Sequence, residues 1–265
     1  MYLLYSTKTQ KTGRILRRVL GIEGGIGAPN RGHDVLIRWG SSAPVRYTPE
    51  LEINSRTAVE AATDKVGSLQ ILKKKGVSVP ELFLFNREMK SLSKHFPLLA
   101  RNRIHQQGTD ILLCMQMEDV KRAINLGREY GVKYVPTKRE YRVHIFKGKS
   151  VKASEKIWTD RGQQTYKPWI RNHRNGYTFR QPITKLDDVS RATAKLAVKA
   201  LGLDFGAVDL IISDNDKVFV LEVNTGPGLI KSGVKKYATH LSKVLGITKI
   251  NQHILEAMED PDEEN

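Results

Sequence analysis

The sequence predicts an α+β fold arranged as two or three lobes. Three features lead there. The apolar runs DFGAVDLIIS (204–213) and KVFVLEVN (217–224) flank the turn DND, which reads as an antiparallel hairpin. A longer hairpin reads over REYRVHIFKGKSVKASEKIW (139–158), turning at Lys147-Gly148-Lys149. Between such hairpins lie amphipathic stretches ending at glycine, such as LDDVSRATAKLAVKALG (186–202). There is no internal repeat, so strands and helices are expected to pack in layers around cores.

From the start, YLLY (2–5) and DVLIRW (34–39) read as strands, with a short helix from Thr12 to Leu20 between them. Together they make a truncated β-α-β lobe over 1–53. GIEGGIGAPNRG reads as a loop; its EGGIG (23–27) lacks the G-x-x-x-x-G-K-[ST] spacing of a phosphate cradle and is taken as a connector. Residues 54–75 read as one helix ending at Gly76, with Pro80 beyond as a stop. ELFLF (81–85), FPLLAR (96–101) and ILLCMQ (111–116) read as short apolar strands. EDVKRAINLGREYG (118–131) reads as a helix closed by Gly131, and VKYVP (132–136) as a strand stopped by proline, completing a central lobe over 54–136. Residues 159–182 are a long polar stretch, and a loop of that length is usually functional or mobile. Helices at 232–245 and 250–259 close a C-terminal lobe over 137–255, followed by an acidic tail, 256–265.

Composition excludes several classes. With 40% hydrophobic residues, 10 Pro and 21 Gly, the 265-residue chain is globular rather than disordered. No apolar run approaches the roughly 20 residues that span a bilayer. The start, MYLLYSTKTQKTGR, lacks the h-region of a signal peptide, so a cytoplasmic setting is expected. The single cysteine, Cys114, rules out an internal disulfide framework; within ILLCM it reads as a core residue. Seven histidines show no HExxH or similar zinc spacing. The net charge of +16 attracts polyanions: nucleotide phosphates, nucleic acid or acidic peptides.

The strongest chemical signal is AVDLIISDNDKVFVLEVNTGPG. Glu222 and Asn224 are two apart on one strand and so share a face, with Asp209 opposite on the neighbouring strand. Leu221 and Val223 are expected to point into the core. Two carboxylates and an amide suit Mg²⁺, a hard cation that shares its shell with phosphates. Burying two carboxylates without a cation is expensive.

GAVDLII…VFVLEVNTGPGL resembles the metal-binding end of ATP-grasp ligases. TDKVGSLQILKKKGVSVP (63–80) is similar to the segment opening their central domain. FPLLAR resembles their P-hydrophobic-hydrophobic-Lys strand, with Arg in place of Lys. VKYVPTKREYRVHIF resembles their hinge strand and the acidic-x-Arg strand after it. The matches run in family order over about 54–230, closest to small carboxylate–amine ligases, including RimK-like enzymes and relatives in phage genomes.

The resemblance implies an ATP-grasp fold with ATP between the central and C-terminal lobes. It also implies an ADP-forming ligase that activates a carboxylate as an acylphosphate and joins it to an amine. Lys65 and Arg101 would contact phosphates. The loop from His105 through Gly108 to Asp110 would be the lid, with His105 either on phosphate or at the surface. Lys133, Tyr134 and Val135 would form the hinge whose backbone meets adenine. Glu140 would reach the ribose or order the site, and Lys156 would face the nucleotide. Arg142, Arg171 and Asn172 would be catalytic, near the transferred phosphate and the substrate. Asp209, Glu222 and Asn224 would hold one or two Mg²⁺, with Mn²⁺ an alternative. Ser6, Arg38 and Ser41, at the ends of the N-terminal strands, are placed to face substrate.

Other readings stay open. The segment 152–181 interleaves Lys152, Lys156, Arg161, Lys167, Arg171, Arg174 and Arg180 with Trp158, Tyr166, Trp169, Tyr177 and Phe179. Such a pattern borders an acyl acceptor, packs as a plain hairpin edge, or grips single-stranded nucleic acid. The competing function is therefore a basic nucleic-acid-binding protein with an inherited, inactive nucleotide site. The expected partners are a small-molecule, peptide or protein carboxylate and an amine, with an anionic substrate favoured by the charge. No membrane partner is expected, and a homodimer is the default assembly. The setting is cytoplasmic, or the host cytoplasm for a phage-encoded chain.

Overall fold

The computed structural model describes residues 1–85, 89–103, 111–159, 168–182 and 185–258. Strand β1 (Tyr2–Tyr5), helix α1 (Gln10–Leu20) and strands β2 (Glu23–Ile26), β3 (Val35–Trp39) and β4 (Leu51–Ile53) form an N-terminal unit. Its sheet is parallel, in the order β2-β1-β3-β4. The glycine-rich segment expected as a connector is thus an edge strand, and close backbone pairing explains Gly24, while Gly27 just beyond takes φ 84. A Cβ on Gly24 would sit 2.6 Å from the Leu3 carbonyl oxygen, and one on Gly25 would sit 2.7 Å from the Tyr2 hydroxyl. Pairing with β1 overrides poor intrinsic strand propensity.

The single helix expected over 54–75 is two, α2 (Arg56–Thr63) and α3 (Lys65–Lys74). Asp64 breaks them: its backbone is extended (φ −73, ψ 104), and its carboxylate accepts the Val66 N–H to cap α3. The central sheet follows, with β5 (Leu82–Leu84), β6 (Leu98–Arg101), β7 (Leu112–Cys114) and β8 (Tyr130–Lys133) in the antiparallel order β5-β8-β6-β7. Helix α4 (Met117–Asn125) packs beside β7, with Val120 and Ala123 in a core shared with Phe83, Leu98 and Cys114. It stops short of Gly131. The chain turns at Gly127 (φ 80), and Gly131 lies inside β8, where an added Cβ would meet the Phe85 ring at 3.0 Å. Burial, helped by Asp119, pushes the Cys114 thiol up to about 11, in keeping with a core role.

The C-terminal sheet contains β9 (Thr137–Phe146), β10 (Lys149–Trp158), β11 (Tyr177–Arg180), β12 (Phe205–Ser213) and β13 (Val218–Asn224). It is antiparallel throughout, in the order β11-β10-β9-β12-β13. Strand β11 emerges from the polar stretch 159–182. Helix α5 (Asp188–Ala200) sets Ala194, Ala197 and Val198 into a core with Val208, Leu210, Val220 and Val223. Helices α6 (Lys231–Leu245) and α7 (Gln252–Glu256) return to pack on α1.

Those last helices fuse the N-terminal and C-terminal sheets into one core. Trp39 of β3 lies 5.1 Å from Phe205 of β12, ring to ring, and 5.0 Å from Tyr237 of α6. No helix among the described residues is long and apolar enough to cross a membrane.

Candidate active site

Three adjacent strands bring the chemistry together. In register, Arg142 of β9 pairs with Asp209 of β12, which pairs in turn with Glu222 of β13. A bulge shifts the β12–β13 register just past Asp209: Asp209 faces Glu222, but Leu210 faces Val220. Leu221 is therefore the extra residue, half-buried on a cavity wall rather than in the core as expected. The physical reason is parity. Strict alternation would put Val220 on the same face as Glu222, whereas the bulge sends Val220 and Val223 into the core and keeps Glu222 and Asn224 on the site.

The side chains form one charged network. Arg142 forks onto Asp209, with Nε 2.6 Å from Oδ1 and an η-nitrogen 2.7 Å from Oδ2. Asn224 donates to Glu222 Oε1 at 3.1 Å and lies 3.4 Å from Asp209 Oδ2. Lys65, at the start of α3, donates to Glu222 Oε2 at 3.3 Å. Enclosure alone would raise the Glu222 carboxyl; Lys65, Arg101 and Arg142 outweigh it, helped by the Asn224 bond, and hold it at about 2. Burial works against the Arg142 charge, but Asp209, Glu222 and Glu140 hold the guanidinium proton more firmly than usual.

A second acid centres the neighbouring part of the sheet. Glu140 is buried, pairing with the Lys156 ammonium and lying 3.3 Å from Arg171 Nε. Burial pushes its carboxyl up, against the pull of both cations. Arg142 lies 4.3 Å over the Phe179 ring, Lys156 lies 4.9 Å over the same ring, and Arg171 lies 5.1 Å over Tyr177. Asn172 accepts the Asn175 N–H at 3.0 Å, capping a short 3₁₀ turn before β11. Lys156, Arg171, Tyr177 and Phe179 thus gather on the side of the sheet that carries Arg142, whereas Arg180 pairs with Glu155 on the other face.

The central sheet supplies the facing wall. Arg101 of β6 and Tyr130 of β8 border the same cavity as Lys65 and Glu222. The Lys133 ammonium donates to the carbonyls of His95 and Phe96 at 2.7 and 2.6 Å. The backbone N–H groups of Lys133 and Tyr134 donate to Glu81 and Pro97, leaving the Val135 N–H without an acceptor among the described residues. His105, Gly108 and Asp110 lie outside the described residues.

The N-terminal unit contributes differently from expectation. Arg38 and Ser41 are buried rather than facing substrate. Arg38 Nε binds Glu52 at 2.6 Å and its guanidinium also donates to the Ala43 carbonyl at 2.6 Å, because a buried cation needs partners and the following loop supplies them. Ser6 does border the cavity, together with Lys8, Thr9 and Gly40, which the sequence reading did not single out. Their common signal is topological: they follow the carboxyl ends of parallel strands β1 and β3, where open sheets place ligands.

Among the described residues no three His, Cys, Asp or Glu side chains converge as a self-sufficient metal cage. Two carboxylates and an amide on adjacent strands instead suit an ion that takes its remaining oxygens from phosphates and water. Glu222, 38% exposed at the side chain, is open to such an ion.

A profile of the RimK-like ATP-grasp domain matches residues 62–246. The chain belongs to the RimK-like ATP-grasp family. A probable alpha-L-glutamate ligase of Saccharophagus degradans is 29% identical over 188 residues, covering 67% of this chain and 60% of its own length. The corresponding protein of Haemophilus influenzae matches to the same extent, 29% over 188 residues, again 67% and 60%. This RimK-like chain thus matches about three-fifths of the length of these curated relatives. Solved structures agree on the ATP-grasp fold. D-alanine–D-alanine ligase from Bacillus anthracis superposes with a TM-score of 0.63 at 15% identity, covering 97% of this chain and 99% of that one. N5-carboxyaminoimidazole ribonucleotide synthetase from Thermotoga maritima gives 0.63 at 14% identity, covering 94% and 76%.

Proposed function

We propose that this RimK-like protein is an ATP-dependent, ADP-forming carboxylate–amine ligase with L-glutamate as one substrate. The observation that carries the reading is the convergence of Lys65, Arg101 and Arg142 on Asp209, Glu222 and Asn224. Cations and metal-type oxygens on facing walls are what phosphoryl transfer requires, since that reaction depends on positioning and charge neutralisation. The names of the relatives support glutamate. Residues 1–53, 54–136 and 137–255 are proposed as the N-terminal, central and C-terminal lobes, with the nucleotide between the last two.

In this reading Asp209, Glu222 and Asn224 would hold Mg²⁺, which would supply charge neutralisation at the phosphates. Lys65 and Arg101 neutralise phosphate from the central side, and the Val135 N–H, without an acceptor among the described residues, meets the adenine edge. Arg142, held by Asp209 and over the Phe179 ring, meets the transferred group. Glu140 orders Lys156 and Arg171 beside it. The substrate carboxylate oxygen attacks the γ-phosphorus and ADP leaves. The amine nitrogen then attacks the acyl carbon of the acylphosphate, inorganic phosphate departs with the C–O electron pair, and the amine loses a proton. Excluding water protects the acylphosphate.

Glu222→Ala should reduce ADP release by at least about a hundredfold. The assay offers Mg²⁺–ATP with pooled amino acids and short acidic peptides, and cooperative thermal unfolding should persist. Turnover by this variant at the unsubstituted rate would remove Glu222 from the site.

A further inference from the structure

We propose that Lys8 selects the substrate, its ammonium receiving a carboxylate that takes no part in the bond being made. The inference rests on the ligase reading and adds a residue from the N-terminal unit to it. A cavity of about 340 Å³ runs from Arg101 and Lys65 past Glu222 to Ser6, Lys8 and Thr9. Its charged lining is three cations and one acid, so it favours an anion. Lys65 already shares that acid. Lys8 is exposed and has no acidic partner among the described residues.

Topology places Lys8 there. From β1 the chain passes through α1 to β2 on one side, then returns to β3 on the other. The crevice outside the carboxyl ends of β1 and β3 is therefore the switch point of a parallel sheet. Lys8 follows β1, and Gly40, directly after β3, lines the same cavity. The turn carrying Lys8 is locked. Thr9 Oγ1 accepts the Ser6 N–H at 3.0 Å and donates to the Trp39 carbonyl at 2.7 Å, while the Thr9 N–H donates to the Ser6 carbonyl at 3.1 Å. The nucleotide wall is formed by the central sheet, so this opposite wall is left for the other substrates.

The test measures steady-state ADP release by the full chain with Mg²⁺–ATP, L-glutamyl-L-glutamate as carboxylate, and L-glutamate or L-glutamine as amine. The same assays are run on Lys8→Gln, Lys8→Arg and Lys8→Glu. Calorimetric titration of L-glutamate and L-glutamine into the ADP-loaded proteins gives a readout independent of turnover. The unsubstituted protein should favour L-glutamate by about tenfold, as expected for one charge pair in a partly enclosed site. Lys8→Gln should lose the preference through KM, Lys8→Arg should keep it, and Lys8→Glu should prefer L-glutamine. A preference unchanged in Lys8→Gln, or absent from the start, overturns the proposal. Absence of ADP release with every pair overturns the ligase reading; L-glutamate binding insensitive to Lys8 in the same titrations overturns this proposal on its own.

Discussion

Arg142 shows how much one side chain can organise. It forks Asp209, lies on Phe179 and helps keep the Glu222 carboxyl ionised. Its field reaches His144, two residues on along the same strand face, whose Nδ1 lies 3.2 Å from the Tyr237 hydroxyl. Burial, and then Arg142, Lys152 and Lys236, lower His144 from 6.5 to about 3. Between those values the unfolded chain binds a proton that the folded chain refuses. The stabilisation is complete above pH 6.5 and is lost progressively as pH falls toward 3. Urea unfolding across pH 4–7 should reveal a loss approaching ~1.4 kcal/mol per pH unit from this residue. His144→Gln should flatten the profile by about one proton, and an unchanged slope would remove His144 as its source.

Among the elements, the telling features are breaks in regularity. The bulge in β13 and the Asp64 break between α2 and α3 each re-aim a residue, Glu222 in one case and Lys65 in the other, and the two then meet at 3.3 Å. The two-residue spacing of Glu222 and Asn224 put both on one face opposite the neighbouring strand of Asp209, and in register Asp209 pairs with Glu222. Neither break was legible: the bulge depends on the core taking Val220 and Val223, and the helix break on Asp64 capping α3 instead of continuing α2. Asn54 is a further element-level device. It is fully buried with φ 59, at the junction of β4 and α2. Its side chain accepts from the N–H groups of Asp204 and Phe205 and donates to the Phe205 carbonyl, while its own N–H meets the Asp204 carboxylate at 2.7 Å. Asn54→Ala removes the side-chain bonds from a left-handed position, and the expected loss is about 3 kcal/mol in denaturant unfolding. A loss below half a kcal/mol, within the range of ordinary surface changes, would show that the staple is redundant.

Across the whole molecule, the N-terminal unit reaches the metal-type strand by backbone contact. Gly40 and Gly226 approach so closely that a Cβ on Gly226 would lie 2.9 Å from the Gly40 α-carbon and 2.7 Å from the Thr9 methyl. Gly226 is two residues past Asn224, so displacement there should travel to the residues proposed to hold the cation. Gly226→Ala should lower kcat/KM for ADP release by roughly ten- to a hundredfold, since ångström-scale misplacement is costly in such sites. Adding Thr9→Ser should restore part of it by removing the methyl; no recovery would locate the effect elsewhere. Charge also reads differently at this scale. Lys65, Arg142, Lys156 and Arg171 face internal carboxylates, so part of the basic excess that suggested nucleic acid is used inside the fold.

The sequence by itself determined the α+β class, the C-terminal hairpin and the order of motifs along the chain. Local signals carry those: period-two alternation, turn residues, and short ligand spacings on one strand. Only the tertiary structure decided that EGGI is a strand, that Arg38 turns inward, that Leu221 leaves the core, and that Lys8 and Gly40 join a cavity with Glu222. Each of these depends on tertiary packing: which surfaces come together, and which buried charges find partners, such as Arg38 with Glu52 and the loop after β3.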